Sequence, residues 1–238
     1  MAKSIVDLDK SFFMKTVLLY TFLMVLKLGS SYLGDPKSKN TKVEVNTSTL
    51  NQQSLDFYQK GKIFFENKDY PTAILNLNKA IALDDKYVDA YDLLTDIYIL
   101  QSEFLMAKFN ANKSAELLPE GFKSNLNLGR IFESIRDFPT ALTYYSKCTR
   151  LHPENPTGYY LTAKMNFVSN DFEKSLINAL IAEKYYKKNK DIGILDAQYL
   201  IGMSYHGMND TKRAKKYLIK AVDGGLQLPD EIRMTYGL

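Results

Sequence analysis

The chain has 238 residues, 45% of them apolar and 24% charged, a balance that excludes a disordered, collagen-like or multi-span membrane protein. A single cysteine excludes a disulfide scaffold, and 31 basic against 27 acidic residues leave a net charge of +4, too slight to mark a nucleic-acid binder.

At the N-terminus, Thr16 to Leu26 is an uncharged apolar run between Lys15 and Lys27, followed by the small residues Gly29, Ser30 and Ser31. A membrane-crossing helix needs about 20 apolar residues, so the run has the length of the central segment of an export signal, with cleavage expected after Ser31. The preceding MAKSIVDLDKSFF is long and acidic for such a signal, and Met14-Lys15 opens a more ordinary one, so the true start is Met1 or Met14. Lys27 directly after the run suits a retained anchor over Phe12 to Leu33, its lysines reaching the interface. Residues 1–33 are therefore read as a cleaved signal peptide, a transmembrane anchor or a buried helix of a cytosolic fold. No cysteine follows the run, which excludes N-terminal lipidation. Residues 34–53 are rich in Ser, Thr, Asn and Lys and read as a polar linker. Asn46-Thr47-Ser48, Asn112-Lys113-Ser114 and Asn209-Asp210-Thr211 match the glycosylation pattern, which matters only in a host that glycosylates.

Beyond the linker the chain repeats itself. Lys68-Asp69-Tyr70, Ser102-Glu103-Phe104, Arg136-Asp137-Phe138 and Asn170-Asp171-Phe172 place an acid before an aromatic every 34 residues. Ala73, Ala107, Ala141 and Ser175 recur at the same period, and Pro119 and Pro153 lie one period apart. Apolar spacing of three and four, as in Tyr91, Leu94 and Tyr98, predicts helices. The phase is 54–87, 88–121, 122–155, 156–189 and 195–228, with 190–194 as an interruption. Pro229-Asp230-Glu231 opens a short helix over 229–238, expected to cap the last hairpin.

This periodicity resembles the tetratricopeptide repeat family. The third repeat carries Leu128, Gly129, Phe132, Ala141, Tyr145, Cys148 and Pro153; the first has Phe57, Gly61, Phe64, Ala73, Leu77 and Ala80; the fifth has Ile201, Gly202, Tyr205, Ala214, Leu218 and Ala221. The second offers Tyr91, Leu94, Tyr98, Ala107 and Pro119, and the fourth is weakest, with Asn166 where an aromatic is usual and Lys187 where a proline is. The resemblance implies an all-α, right-handed α-solenoid of about five hairpins with a C-terminal cap. The small residues would let paired helices approach, and the bulky ones would fill the gaps between hairpins.

In this family the first helix of each hairpin lines a concave, peptide-binding groove. Carried onto this chain, the groove comprises Tyr58, Lys62 and Phe65; Asp89, Asp92, Asp96 and Ile99; Lys123, Leu126, Arg130 and Glu133; Tyr160, Lys164 and Phe167; and Tyr199, Met203 and His206. Clustering of Asp89, Asp92 and Asp96 leads to the expectation that these are exposed and await a basic side chain of the partner. The chaperone-tail clamp known in the family is not expected: of Tyr58, Lys62, Leu93, Lys123 and Asn127 at its positions, only Lys123 fits.

No catalytic constellation is found. His152 and His206 lack neighbours at ligand spacing, Cys148 takes a small-residue packing position, and phosphate-loop, GxSxG and HExxH patterns are absent. The acids Asp69, Asp137, Asp171 and Asp210 read as helix caps. The basic stretches around Lys184–Lys190 and Lys212–Lys216 read as a solvated outer face, with an anionic contact as the alternative. The expectation is a non-catalytic scaffold for a protein or peptide partner, exported or membrane-associated through residues 12–33. It needs no cofactor or metal and binds no nucleic acid; the oligomeric state is open.

Overall fold

A computed structural model describes residues 47–238, and among them every regular element is an α-helix. In chain order the helices are α1 (Thr47–Glu66), α2 (Tyr70–Leu83), α3 (Val88–Leu100), α4 (Phe104–Leu117), α5 (Phe122–Ser134), α6 (Phe138–Leu151), α7 (Pro156–Val168), α8 (Phe172–Asn189), α9 (Ile194–Gly207), α10 (Thr211–Asp223) and α11 (Asp230–Tyr236). Odd and even helices pair as five antiparallel hairpins, and each hairpin stacks on the next. Residues 1–33, with the expected signal or anchor, lie outside the described residues, as do 34–46 of the expected linker.

Linker character was expected as far as Gln53, yet α1 already begins at Thr47. The polar residues there belong to the helix. Gln52 donates to Asp56 Oδ1 one turn on (3.0 Å), and the buried Ser54 hydroxyl donates to the Ala80 carbonyl (3.0 Å). Composition alone does not separate a polar helical turn from a linker.

The recurring acid is explained by the turn between paired helices. The residue before each acid is left-handed: Lys68, Ser102, Arg136, Asn170 and Asn209 have φ of 60–65°. The amide of the following acid then bonds back five residues, as Asp137 N–H does to the Phe132 carbonyl (2.8 Å) and Asp210 N–H to that of Tyr205 (2.9 Å). This closes the first helix in a Schellman turn. The same acid starts the second helix: the side chains of Asp69, Asp137, Asp171 and Asp210 accept from Thr72, Thr140, Lys174 and Arg213 amides at 2.9–3.2 Å. Glu103 makes no such cap bond. One residue thus ends one helix and begins the next, which fixes the spacing within each hairpin.

The core lies between the helices of each hairpin and between neighbouring hairpins. Ala73, Ala80, Ala107, Ala141, Ala182, Ala214 and Ala221 are fully buried beside Leu77, Tyr145 and Leu218. Glycine is required at the closest crossings. A Cβ on Gly129 would enter the ring of Tyr145 (2.6 Å from Cδ1), and one on Gly202 would lie 2.9 Å from Leu218 Cδ2. The fourth repeat keeps the pattern although Asn166 replaces the aromatic; its backbone still closes the turn through Asp171 N–H (2.9 Å). Lys187, in place of proline, lets α8 run for 18 residues. It ends at Lys190, also left-handed at φ 55°, and Asp191 Oδ1 accepts from Gly193 N–H (2.8 Å) before α9. The 190–194 interruption is the turn that follows this longer helix.

Candidate protein-binding groove

Side chains of α3, α5 and α7 meet along one face, because these first helices follow one another at the repeat spacing. Asp96 on α3 receives Lys123 Nζ (2.7 Å) and Arg130 Nη1 (2.9 Å) from α5. Glu133 on α5 holds Lys164 of α7 through Oε1 and accepts the Tyr145 hydroxyl at Oε2 (2.7 Å). Burial, together with that bond, raises the Tyr145 pKa, so the phenol remains a donor. The result is a rail of alternating charge from the second hairpin to the fourth.

Beside the rail is a cavity of about 530 Å³ walled by Ile99, Leu126, Leu161, Thr157, Ser134, Arg130, Glu133 and Lys164. Every one of these residues comes from a first helix. Five of them, Ile99, Leu126, Arg130, Glu133 and Lys164, were among those expected from sequence. Leu161, Thr157 and Ser134 were missed; no charge or aromatic signal marks them, and only the spatial convergence of α5 and α7 brings them in.

The expectation for the acidic cluster is corrected. Asp89 is exposed, but Asp92 is buried at 6% exposure and Asp96 is engaged by Lys123 and Arg130. Asp92 Oδ1 accepts the Ser114 hydroxyl (2.7 Å), and the Asp92 carbonyl accepts from Asn127 Nδ2 (3.4 Å). Burial pushes its carboxyl up to about 6, against the lowering effect of Ser114 and Lys123. The cation that relieves the carboxylate cluster is therefore intramolecular, supplied by the next hairpin, and Asp92 is a packing group between α3 and α4.

Several expected groove aromatics also contribute to packing. Tyr58 lies against Tyr87 (5.0 Å between ring centres) and Phe65 against Tyr70 (6.1 Å). Half-buried Tyr160, Phe167, Tyr199 and Met203 press on the core of the fourth and fifth hairpins, where burial raises the Tyr160 phenol to about 12. His206 bonds through Nδ1 to the Tyr236 hydroxyl of α11 (2.7 Å). Lys62 stands exposed.

Cys148 is fully buried and its thiol is pushed up to about 12 by that burial, which leaves it unreactive at neutral pH. His152 Nε2 lies 3.2 Å from the Glu120 carbonyl and the ring sits edge-on to Phe122, bridging two inter-repeat turns. Among the described residues no group of three His, Cys, Asp or Glu side chains is placed to hold a metal ion.

These features define a helical-hairpin solenoid whose first helices line one continuous face. The chain is similar to tetratricopeptide repeat proteins: the family's repeat profile matches residues 195–223, the fifth hairpin, and proteins named for these repeats align with longer stretches. A TPR repeat-containing protein of Methanocaldococcus jannaschii is 26% identical over 192 residues, 77% of this chain and 32% of that protein. The chain spans less than a third of the length of the curated relatives it matches. Among solved structures, MamA superposes with a TM-score of 0.61 at 18% identity, covering 79% of this chain and 97% of that one. YrrB, described as a TPR protein with an unusual peptide-binding site, gives 0.58 at 18% identity, covering 76% and 93%. At these identities the structural matches show the solenoid fold alone.

Proposed function

We propose that the protein is a non-catalytic scaffold, exported or membrane-tethered, that holds a protein or peptide partner on its first-helix face. The observation that carries this reading is the cavity between α3, α5 and α7. Its apolar floor of Ile99, Leu126 and Leu161 offers an anchor for one buried side chain of the partner, and the Arg130–Glu133–Lys164 edge fixes the partner's polar groups. Because the rail is already neutralised within the chain, the partner need not bring a basic side chain; it can exchange one of its own charges into an existing pair. The peptide-binding site named for YrrB supports the same use of the fold.

The test is co-purification from the native source. Leu126→Asp is expected to lose the partner while melting as a folded helical protein, and Leu105→Asp, on the opposite face at an 87% exposed position, is expected to keep it. The reverse pattern would move the binding surface to the second helices.

The compartment rests on Thr16–Leu26, outside the described residues; within the described residues no helix is long and apolar enough to cross a membrane. N-terminal sequencing of the mature protein distinguishes the cases. A start at Tyr32 supports export with cleavage after Ser31, whereas retention of Thr16–Leu26 supports the tether. Deletion of residues 1–13 is expected to leave localisation unchanged.

A further inference from the structure

The fifth hairpin carries a charge arrangement that the first-helix cavity does not involve. Helix α10 bears Lys212, Arg213, Lys215, Lys216 and Lys220 against one acid, Asp223. Two of these cations are occupied. Arg213 pairs with Asp210 at the helix start, and Lys220 reaches Glu183 of α8 (4.0 Å) while lying over the Tyr217 ring (4.1 Å). Lys212, Lys215 and Lys216 form no ion pair among the described residues.

These three lysines and Ile219 make one wall of a cavity of about 740 Å³. The opposite wall is the Tyr236 ring of α11, which stands edge-on to His206 and is held by their hydrogen bond. Ile219 is 37% exposed there. In the fourth hairpin the corresponding residues, one repeat plus the five-residue interruption earlier, are Leu176 and Leu180, and they pack against the core around α9. The repeat thus uses this wall to receive the next helical layer. On α10 the same wall presents Lys215 and Ile219, with unpaired positive charge around an apolar floor.

We propose that this face of the fifth hairpin is a second binding site, seating an acidic amphipathic helix of a partner protein between α10 and α11. Lys212, Lys215 and Lys216 follow the i, i+3, i+4 spacing of a single helix face. Carboxylates spaced the same way on a facing helix meet all three, and an apolar side chain between them covers Ile219 beside the already buried Tyr236. Charge complementarity selects the sign of the partner. The concavity selects its form: a flat anionic bilayer touches the lysine tips and leaves Ile219 uncovered. This site is separate from the first-helix cavity and does not depend on it.

The experiment is fluorescence anisotropy of the full chain with a fluorescein-labelled helical peptide carrying glutamates at i, i+3 and i+4 beside a leucine stripe. Its glutamine counterpart and equimolar phosphatidylserine–phosphatidylcholine vesicles are run in parallel. The glutamate peptide is expected to bind saturably, more weakly as salt rises, and the glutamine peptide to bind poorly. Lys212→Gln, Lys215→Gln and Lys216→Gln together should reduce affinity about tenfold or more. Ile219→Ser should weaken binding without altering its salt dependence, and Leu126→Asp in the groove should leave it unchanged. Equal binding by the triple lysine variant overturns the proposal. Binding to vesicles without binding to the peptide overturns it in favour of a membrane contact, and binding to neither overturns it and reduces the lysines to a solvated face of α10.

Discussion

The seam between the second and third hairpins and the seam between the fourth and fifth occupy the same place in the repeat and are built from different chemistry. In the first seam Asp92, Thr95, Ser114, Asn125 and Asn127 are buried, and Asp96 bridges to Lys123 and Arg130. In the second, Ala163, Ala179, Leu200, Ile201 and Leu218 fill the space, and the one buried side-chain pair in it is Ser175 with Ser204 (2.8 Å). An aliphatic seam is stabilised by area removed from water and adapts to small changes in shape. A polar seam depends on matched donors and acceptors, and loses heavily when one partner is removed. The repeat frame, set by the left-handed turn and the acid cap, accommodates both. What differs is the surface each leaves: the polar seam projects its charges into the first-helix cavity, and the aliphatic one leaves only packing residues on that face.

The largest expected effect comes from the close crossings. Gly129 faces the ring of Tyr145, which cannot withdraw because its hydroxyl is bonded to Glu133. Gly202 faces a branch of Leu218, which can turn aside. Gly129→Ala is therefore expected to cost about 3 kcal/mol and Gly202→Ala about 1 kcal/mol. Urea unfolding of the two variants measures the difference, and equal losses would mean that the ring of Tyr145 is as free to move as a leucine.

Next is the buried carboxyl of the polar seam. Asp92 titrates at about 6 in the folded chain against 3.8 for an unperturbed carboxyl. The native state binds this proton more tightly, so the stability the group contributes is full below about pH 4 and is lost as pH rises through 6. Asp171 and Asp210 act oppositely, because their caps hold them below the ordinary value; their losses fall at more acid pH. Asp92→Asn keeps an acceptor for Ser114 and is expected to stabilise the protein by about 2 kcal/mol at pH 7 and by almost nothing at pH 4. The same gain at both pH values would show that Asp92 is not the titrating group.

The hairpins and their phase were legible in the sequence because the turn makes one acid serve two helices and because glycine and alanine recur where helices touch. The left-handed residues at Lys68, Ser102, Arg136, Asn170 and Asn209 were not legible, since none is glycine and each looks like an ordinary surface residue. Asp92 was misread for a related reason: the family frame places it on the groove side, but Ser114, 22 residues on, offers a hydroxyl where an alanine or cysteine stands in most other repeats. That pair is a property of two positions together. Leu161 and Thr157 escaped notice because a cavity wall is defined by neighbours on another helix.

The smallest expected effect tests the aliphatic seam. Ser204 Oγ donates to the Leu200 carbonyl one turn back (2.8 Å) and also meets Ser175 Oγ (2.8 Å), so both hydroxyls are satisfied without any group outside the pair and its own helix. Replacing one serine by alanine leaves the other hydroxyl with one bond fewer in a buried place. Replacing both removes the polar atoms and leaves methyl groups among Ala163, Ala179 and Ile201. Removing both partners of a buried hydrogen bond is close to neutral when shape is kept. The double variant Ser175→Ala, Ser204→Ala is therefore expected to unfold within about 0.5 kcal/mol of the parent, with each single variant somewhat less stable than the double. A double-mutant cycle by urea denaturation checks this. If the double variant loses several times that amount, the fourth and fifth hairpins are held by a polar link like the one at Asp92, and the contrast between the two seams falls away.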